Sequence, residues 1–411
     1  MERWGIPAPN DKRMAVRITK DAARHVRAGH PWLFDAAITS LSHEGAPGDI
    51  AVIFDDDRSF MALGLYDPAS HIRVRILHKG KPVTIDAEWW SARLAAALER
   101  RAGLAQEGTT AYRCINGEND GFGGLVLDRY ADVAVLKVYS AAWFPHLPLL
   151  VELIDRQMHP SSLIVRVSRA LARGDQCFGL DEPTALLGSL PDAPVLFTEN
   201  GLLFEADVVE GQKTGHFLDQ RENRQRVREM VRGAEVLDVF ACTGGFSVYA
   251  AAGGARSVRS VDISSPALDT ARRNMALNAT DPAVAACDHS THVGDAFEVL
   301  RGHAARGETF DVVVVDPPSF AHKALDIPRA LSAYRSLTQL ALEVVRPGGT
   351  LVQSSCSSRI GRDEFIEVVT DAAWQAQRQV RIVEETGHAV DHPVTFPEGA
   401  YLKTLFLEVL R

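Results

Sequence analysis

The chain has 411 residues, 46% of them hydrophobic and 24% charged, with five cysteines and a formal net charge of −9. That length exceeds what one hydrophobic core serves, so two or three domains are expected, in a composition ordinary for a soluble globular protein. No apolar run reaches the ~18–20 residues of a membrane span and the N-terminal stretch lacks an apolar signal region, so a cytoplasmic protein with no membrane partner is expected.

Cys114, Cys177, Cys242, Cys287 and Cys356 are scattered and form no CxxC pair. This pattern excludes a disulfide framework and a structural zinc site, and no metal is expected; a working thiolate stays open. The acidity is uneven. Residues 11–31 carry six basic side chains, Lys12, Arg13, Arg17, Lys20, Arg24 and Arg27, against two acidic ones. Such a patch either holds a phosphate backbone or forms a solvated helix face.

Residues 1–80 read as a small, mostly β domain. Ala51–Phe54, Met61–Leu65 and His71–Leu77 are expected strands, with turns at Gly48-Asp49 and Asp67-Pro68. Residues 81–192 read as an α+β unit. Helices are expected from Ala87 to about Arg101 and from His146 to Met158. Strands are expected at Leu125–Asp128, Val133–Tyr139 and Leu163–Val167. The stretch Leu187–Asp192 ends this unit. Residues 193–411 then alternate, with a helix at Arg221–Arg232 and strands at Val236–Phe240, Ser257–Asp262, Phe310–Asp316 and Gly349–Ser354. Alternation of this kind predicts a doubly wound α/β sheet with helices on both faces.

In such sheets ligands bind beyond the C-terminal strand ends. The first strand here runs through Asp238 and Phe240 into Ala241-Cys242-Thr243-Gly244-Gly245. This is not the GxGxxG turn that aims a helix N-terminus at a pyrophosphate. S-adenosylmethionine (SAM) has no phosphate but carries an amino acid and a sulfonium, so an acidic strand end beside a glycine turn suits it better. Gly244 lets backbone approach such a ligand, and Asp238 suits its ammonium. Asp262, 24 residues on, suits the ribose hydroxyls, and Asp295 in Gly294-Asp295-Ala296 suits the adenine amine. Any one of these aspartates alone reads equally as a helix cap or a solvated loop; their order along the strands is what points to SAM. Phe240 either stacks near the cofactor or packs in the core. Asn278 either meets the adenine or ends a helix.

The next strand ends in Asp316-Pro317-Pro318-Ser319-Phe320, where two prolines fix a turn that can present Asp316 to a planar base. The last delivers Ser355-Cys356-Ser357 to the same rim. Cys356 is either a small buried hydrophobe or a nucleophile. Carbon-5 of a pyrimidine is too weak a nucleophile to take a methyl group unaided, and a thiolate adding at carbon-6 activates it. Arg359 is the nearby cation expected to favour the thiolate. Cys242, in the cofactor turn, reads as a small residue.

These motifs resemble those of the bacterial large-subunit rRNA (cytosine-5)-methyltransferases of the RlmI type, over nearly the whole chain. Gly29-His30-Pro31-Trp32-Leu33-Phe34, Pro47-Gly48-Asp49 and Ile72–Leu77 look like that family's PUA domain, an RNA-binding barrel. Asn116–Leu125 and Leu127-Asp128-Arg129-Tyr130 are similar to its central domain. Glu210–Arg221 is very close to the segment that folds over SAM, and Arg221 would then meet the SAM carboxylate. Asp316-Pro317-Pro318 and Ser355-Cys356-Ser357 match the base-binding and nucleophile motifs. The resemblance implies a Rossmann-like class I methyltransferase domain behind a PUA domain and a central domain. It implies SAM as cofactor and 23S rRNA as partner, with no DNA; a homodimer stays open. The sequence departs from the family at His216, where an aromatic ring is usual, and at Ser358 and Arg359, where two histidines are frequent. Ser319 stands where another group of cytosine-5 enzymes has a second cysteine. Two other classes remain. One is methylation of a base nitrogen or of uracil carbon-5, and the other is a non-catalytic rRNA assembly factor.

Overall fold

The computed structural model describes residues 5–173, 177–211, 213–321 and 323–410. Gln212, inside the Glu210–Arg221 run, lies outside the described residues. The chain divides into two compact units. One comprises Met1–Thr198, Ala206–His216 and Val390–Phe396; the other comprises Glu199–Glu205, Phe217–Ala389 and Pro397–Arg411.

The first unit holds two sheets. The first sheet is six-stranded, in the order Trp32–Phe34, Ile72–Lys79, Phe60–Tyr66, Ile50–Phe54, Met14–Ile18, Ile38–Leu41. Alternation dictates its core: Met14, Val16 and Ile18 point inward and are at most 2% exposed, while Arg17 between them faces solvent. The helix Lys20–Arg27 starts where the Thr19 hydroxyl accepts the Ala22 N–H at 3.2 Å, and it buries Ala22, Ala23 and Val26. The second sheet has five strands between Ala111 and Leu187 and packs on Trp90, Phe122 and Trp143. The expected elements of both regions are present with shifted ends. The strand expected to end at Asp128 continues to Tyr130, so the turn to Val133 is shorter than expected and Ala131 takes φ 53°. The helix after it begins at Leu147, behind a 3-10 turn Ala141–His146.

The second unit carries one seven-stranded sheet. Its strands are β1 Glu235–Val239, β2 Ser257–Asp262, β3 Asp288–Val293, β4 Phe310–Val315, β5 Val345–Ser355, β6 Val380–Thr386 and β7 Lys403–Val409. Their spatial order is β3-β2-β1-β4-β5-β7-β6. β1 to β5 are parallel and β7 is antiparallel to both neighbours. Central strands buried on both faces need continuous apolar runs, and Val312-Val313-Val314-Val315 supplies one. Helices α1 Arg221–Met230, α2 Gly245–Ala252, α3 Ser265–Leu277, α4 Pro282–Ala286, α5 Ala296–Ala305, α6 Ile327–Val344 and α7 Arg362–Gln375 connect the strands. Reversal of strand order on either side of β1 creates the crevice at the switch point, beyond Val239 and Val315. Among the described residues no helix is long and apolar enough to cross a membrane.

Candidate active site at the strand tips

β1 turns sharply into α2. Phe240 (φ 66°) and Cys242 (φ 48°) both take the left-handed backbone region, uncommon for residues with a Cβ. Gly244 (φ 77°) follows, and a Cβ there would stand 2.8 Å from that of Ala271. The turn is held in place by its neighbours: Ala241 N–H donates to the Val261 carbonyl at 2.9 Å, and Cys242 N–H to Asp262 Oδ2 at 2.9 Å. Asp262 Oδ1 accepts from Ser264 N–H, and the Asp262 carbonyl accepts from Gly294 N–H at 3.0 Å. One aspartate thus ties the tips of β1, β2 and β3 together.

Asp238 is 1% exposed. Its Oδ2 accepts the Ser247 hydroxyl at 2.6 Å, whereas Oδ1 has no hydrogen-bond partner among the described residues. Burial pushes its carboxyl up to about 6, against the Ser247 hydrogen bond, with Asp262 adding repulsion. A buried carboxylate oxygen without a donor is costly unless a cation or donor arrives from outside. Behind the turn, Arg224 is buried, donates to Glu199 Oε1 at 2.7 Å and to the Phe217 carbonyl at 2.6 Å, and lies against Gly245. The sequence carries no signal for this support, because Glu199 and Arg224 meet only through the fold.

Arg221, the first residue of α1, is 2% exposed. Phe240 is half-buried against the core of the sheet. Asp295 is exposed and caps α5, its Oδ1 accepting from Phe297 and Glu298 N–H. Asn278 is not at the crevice. It is 6% exposed and spends its amide on both backbone groups of Leu203 and on the Asn274 carbonyl. These bonds anchor the end of α3. Cys242 is held up at about 11 by burial and the Asp262 charge, which keeps it a thiol.

The Asp316 turn and the Cys356 turn adjoin. Cys356 Sγ lies 3.7 Å from the Pro317 carbonyl, and the Ser319 and Ser357 hydroxyls both donate to the Ala321 carbonyl, at 3.2 and 3.3 Å. Tyr334 from α6 donates to Ser355 Oγ at 2.9 Å and stacks edgewise on Phe320, with 5.0 Å between centroids. Charges on Cys356 and on Asp316 both reach Tyr334, whose hydroxyl is raised chiefly by burial. Arg359, the expected cation, is exposed in the Cys356 turn. A second cation, Lys403, is buried on β7.

His216 is 4% exposed and its ring packs edgewise on Phe197 with 5.2 Å between centroids, while its backbone N–H donates to the Tyr130 hydroxyl at 3.0 Å. Its ring fills an aromatic slot. The three carboxylates of Asp55, Asp56 and Asp57, with oxygens within 4.8 Å, sit in a turn, where Asp55 and Asp56 pair with Arg27 and Lys20.

A family model for S-adenosylmethionine-dependent methyltransferases matches residues 181–407, and one for a PUA-like domain matches residues 16–79. A ribosomal RNA large subunit methyltransferase of Deinococcus radiodurans is 45% identical over 408 residues, covering 98% of this chain and 99% of its own. The ribosomal RNA large subunit methyltransferase I of Shewanella amazonensis is 37% identical over 403 residues, covering 96% and 100%. In fold the chain is similar to a SAM-dependent methyltransferase from Streptococcus mutans, with a TM-score of 0.81, 20% identity and coverage of 96% and 100%. The chain therefore belongs to the S-adenosylmethionine-dependent methyltransferases, in the family of the ribosomal RNA large subunit methyltransferase I proteins.

Proposed function

We propose that the chain methylates carbon-5 of a cytosine in large-subunit (23S) rRNA, with Cys356 as nucleophile. The observation that carries this reading is the thiol 3.7 Å from the Pro317 carbonyl, at the strand tip adjoining the Asp316-Pro317-Pro318 turn. A base gripped by that turn lies within reach of the sulfur. In this reading residues 1–80 grip RNA, 81–192 form the central domain and 193–411 carry the chemistry.

The residues of the crevice fit SAM. The unpartnered Asp238 oxygen suits its ammonium, Arg221 its carboxylate, Asp262 its ribose and Asp295 its adenine amine. The left-handed turn from Phe240 to Gly244 brings backbone close to it. Ile263, 74% exposed beside Asp262, offers an aliphatic face to the adenine ring; an apolar residue just after an acidic strand end is the signal that reveals it. Bound SAM supplies an electrophilic methyl group. The chain supplies the rest. The Cys356 thiolate forms a bond to carbon-6, and the displaced electron pair makes carbon-5 nucleophilic. Asp316 orients the ring. Once carbon-5 is methylated, loss of its proton to a base returns the electron pair to the ring and breaks the sulfur–carbon bond.

RNA carrying 5-fluorocytosine tests this, because fluorine cannot leave as a proton. A covalent RNA–protein adduct is expected through Cys356, and none with Cys356→Ala. Trapping only with 5-fluorouracil would reassign the base, and methylation without any adduct would favour a base nitrogen.

A further inference from the structure

The reaction above requires a thiolate, and the turn that carries Cys356 is built around a cation. β5 and β7 run antiparallel with Ser355 opposite Lys403, so the lysine starts one residue from the nucleophile on the facing strand. Its ammonium folds back under the turn and donates to the Ser357 carbonyl at 2.5 Å and to the Ile360 carbonyl at 2.7 Å. Lys403 is 7% exposed and makes no ion pair among the described residues. A buried cation held only by carbonyl dipoles is costly, and such a site is tolerated where an anion completes it.

Resting on the proposed carbon-5 reaction, we infer that Lys403 is a positioning residue for the nucleophile: its ammonium fixes the Cys356–Ile360 turn and provides the positive charge that stabilises the Cys356 thiolate. Burial pulls the ammonium down to about 8, and the charges of Cys356 and, more weakly, Glu364 push it back up. Other groups surround the pair. Tyr334 stands on α6, Asp316 follows β4, Glu364 lies on α7 and Arg359 is exposed in the turn itself. Asp316 and Glu364 oppose the thiolate, so the lysine charge has to outweigh them.

The readout is the pH dependence of Cys356 alkylation by iodoacetamide, followed on the Cys356 peptide by mass spectrometry. Lys403→Met moves the midpoint up by about one unit, about tenfold slower alkylation at pH 7, with SAM affinity unchanged; Lys403→Arg restores most of the rate. An unmoved midpoint in a folded Lys403→Met protein overturns the inference. Coupling is reciprocal, so a second measurement does not depend on that variant folding. In protein labelled with [13Cε]lysine, Cys356→Ala lowers the titration midpoint of the Lys403 signal, assigned by its loss in Lys403→Arg; an unchanged midpoint overturns the inference. The fluorocytosine adduct separates the two claims. Coupling without an adduct removes the carbon-5 reaction and leaves the pair, whereas an adduct without coupling removes the pair alone.

Discussion

Asp238 has a ligand-shaped deficit built into it: a carboxylate 1% exposed, one oxygen without a donor, and a carboxyl raised to about 6. The folded carboxyl binds its proton more tightly than the unfolded one, so this group favours the fold most below the unfolded value of about 4. That contribution is lost as pH rises through 6, and at pH 7 the buried charge is a net cost. Asp238→Asn is therefore expected to raise the urea stability of the ligand-free protein at pH 7, by on the order of 2 kcal/mol. The same change should weaken SAM at least tenfold by calorimetry, and wild-type affinity should fall as pH drops through 6. A destabilised Asp238→Asn protein would mean that the Ser247 bond, not burial, governs the residue. The proposed role of Asp238 is legible in the sequence because the acidic residue, the turn and the glycines are neighbours in the chain. Lys403 is not. It lies 47 residues beyond Cys356, and only the antiparallel register of β7 on β5 brings it to Ser355. Arg359, closer in sequence, is the cation that proximity alone suggests.

At the scale of elements, the parallel strands are legible as runs such as Val312 to Val315, and their ends by the aspartates that follow. Strand limits are less so. β5 begins at Val345 rather than Gly349 because its register with β4 shifts between Phe310 and Val312, an irregularity no periodicity announces. The start of α5 poses a sharper question, since Asp295 is both a cap and a candidate adenine ligand. Serine separates the roles, because it caps almost as well as aspartate but has no carboxylate. Asp295→Ser should leave unfolding nearly unchanged, whereas Asp295→Ala should cost about 1 kcal/mol. If the carboxylate meets the adenine amine, both variants weaken SAM alike. If Asp295→Ser binds SAM as the wild type does, capping is its whole contribution.

Across the whole molecule, the net charge of −9 repels a polyanion, so attraction to RNA has to be local. The basic residues of 11–31 lie in the unit that carries the PUA-like match, apart in sequence from the crevice residues of the second unit. They are not equivalent. Arg27 pairs at 2.8 Å with Asp55, whose side chain is 7% exposed, so Arg27→Glu would set a second carboxylate against a buried one and damage the sheet. Arg24 pairs with exposed Asp21 on its own helix, and Arg17 is an exposed strand residue. Exposed pairs of this kind contribute little to stability. Arg17→Glu and Arg24→Glu are therefore the informative changes. Each should weaken rRNA binding and lower the slope of log affinity against log salt by about one, the signature of a single phosphate no longer neutralised. SAM affinity should be untouched in both. An unchanged salt slope in the double variant would make this patch a solvated face and send the search for RNA-binding residues elsewhere. An equal loss of SAM affinity would show that the two functions do not divide along the chain at all.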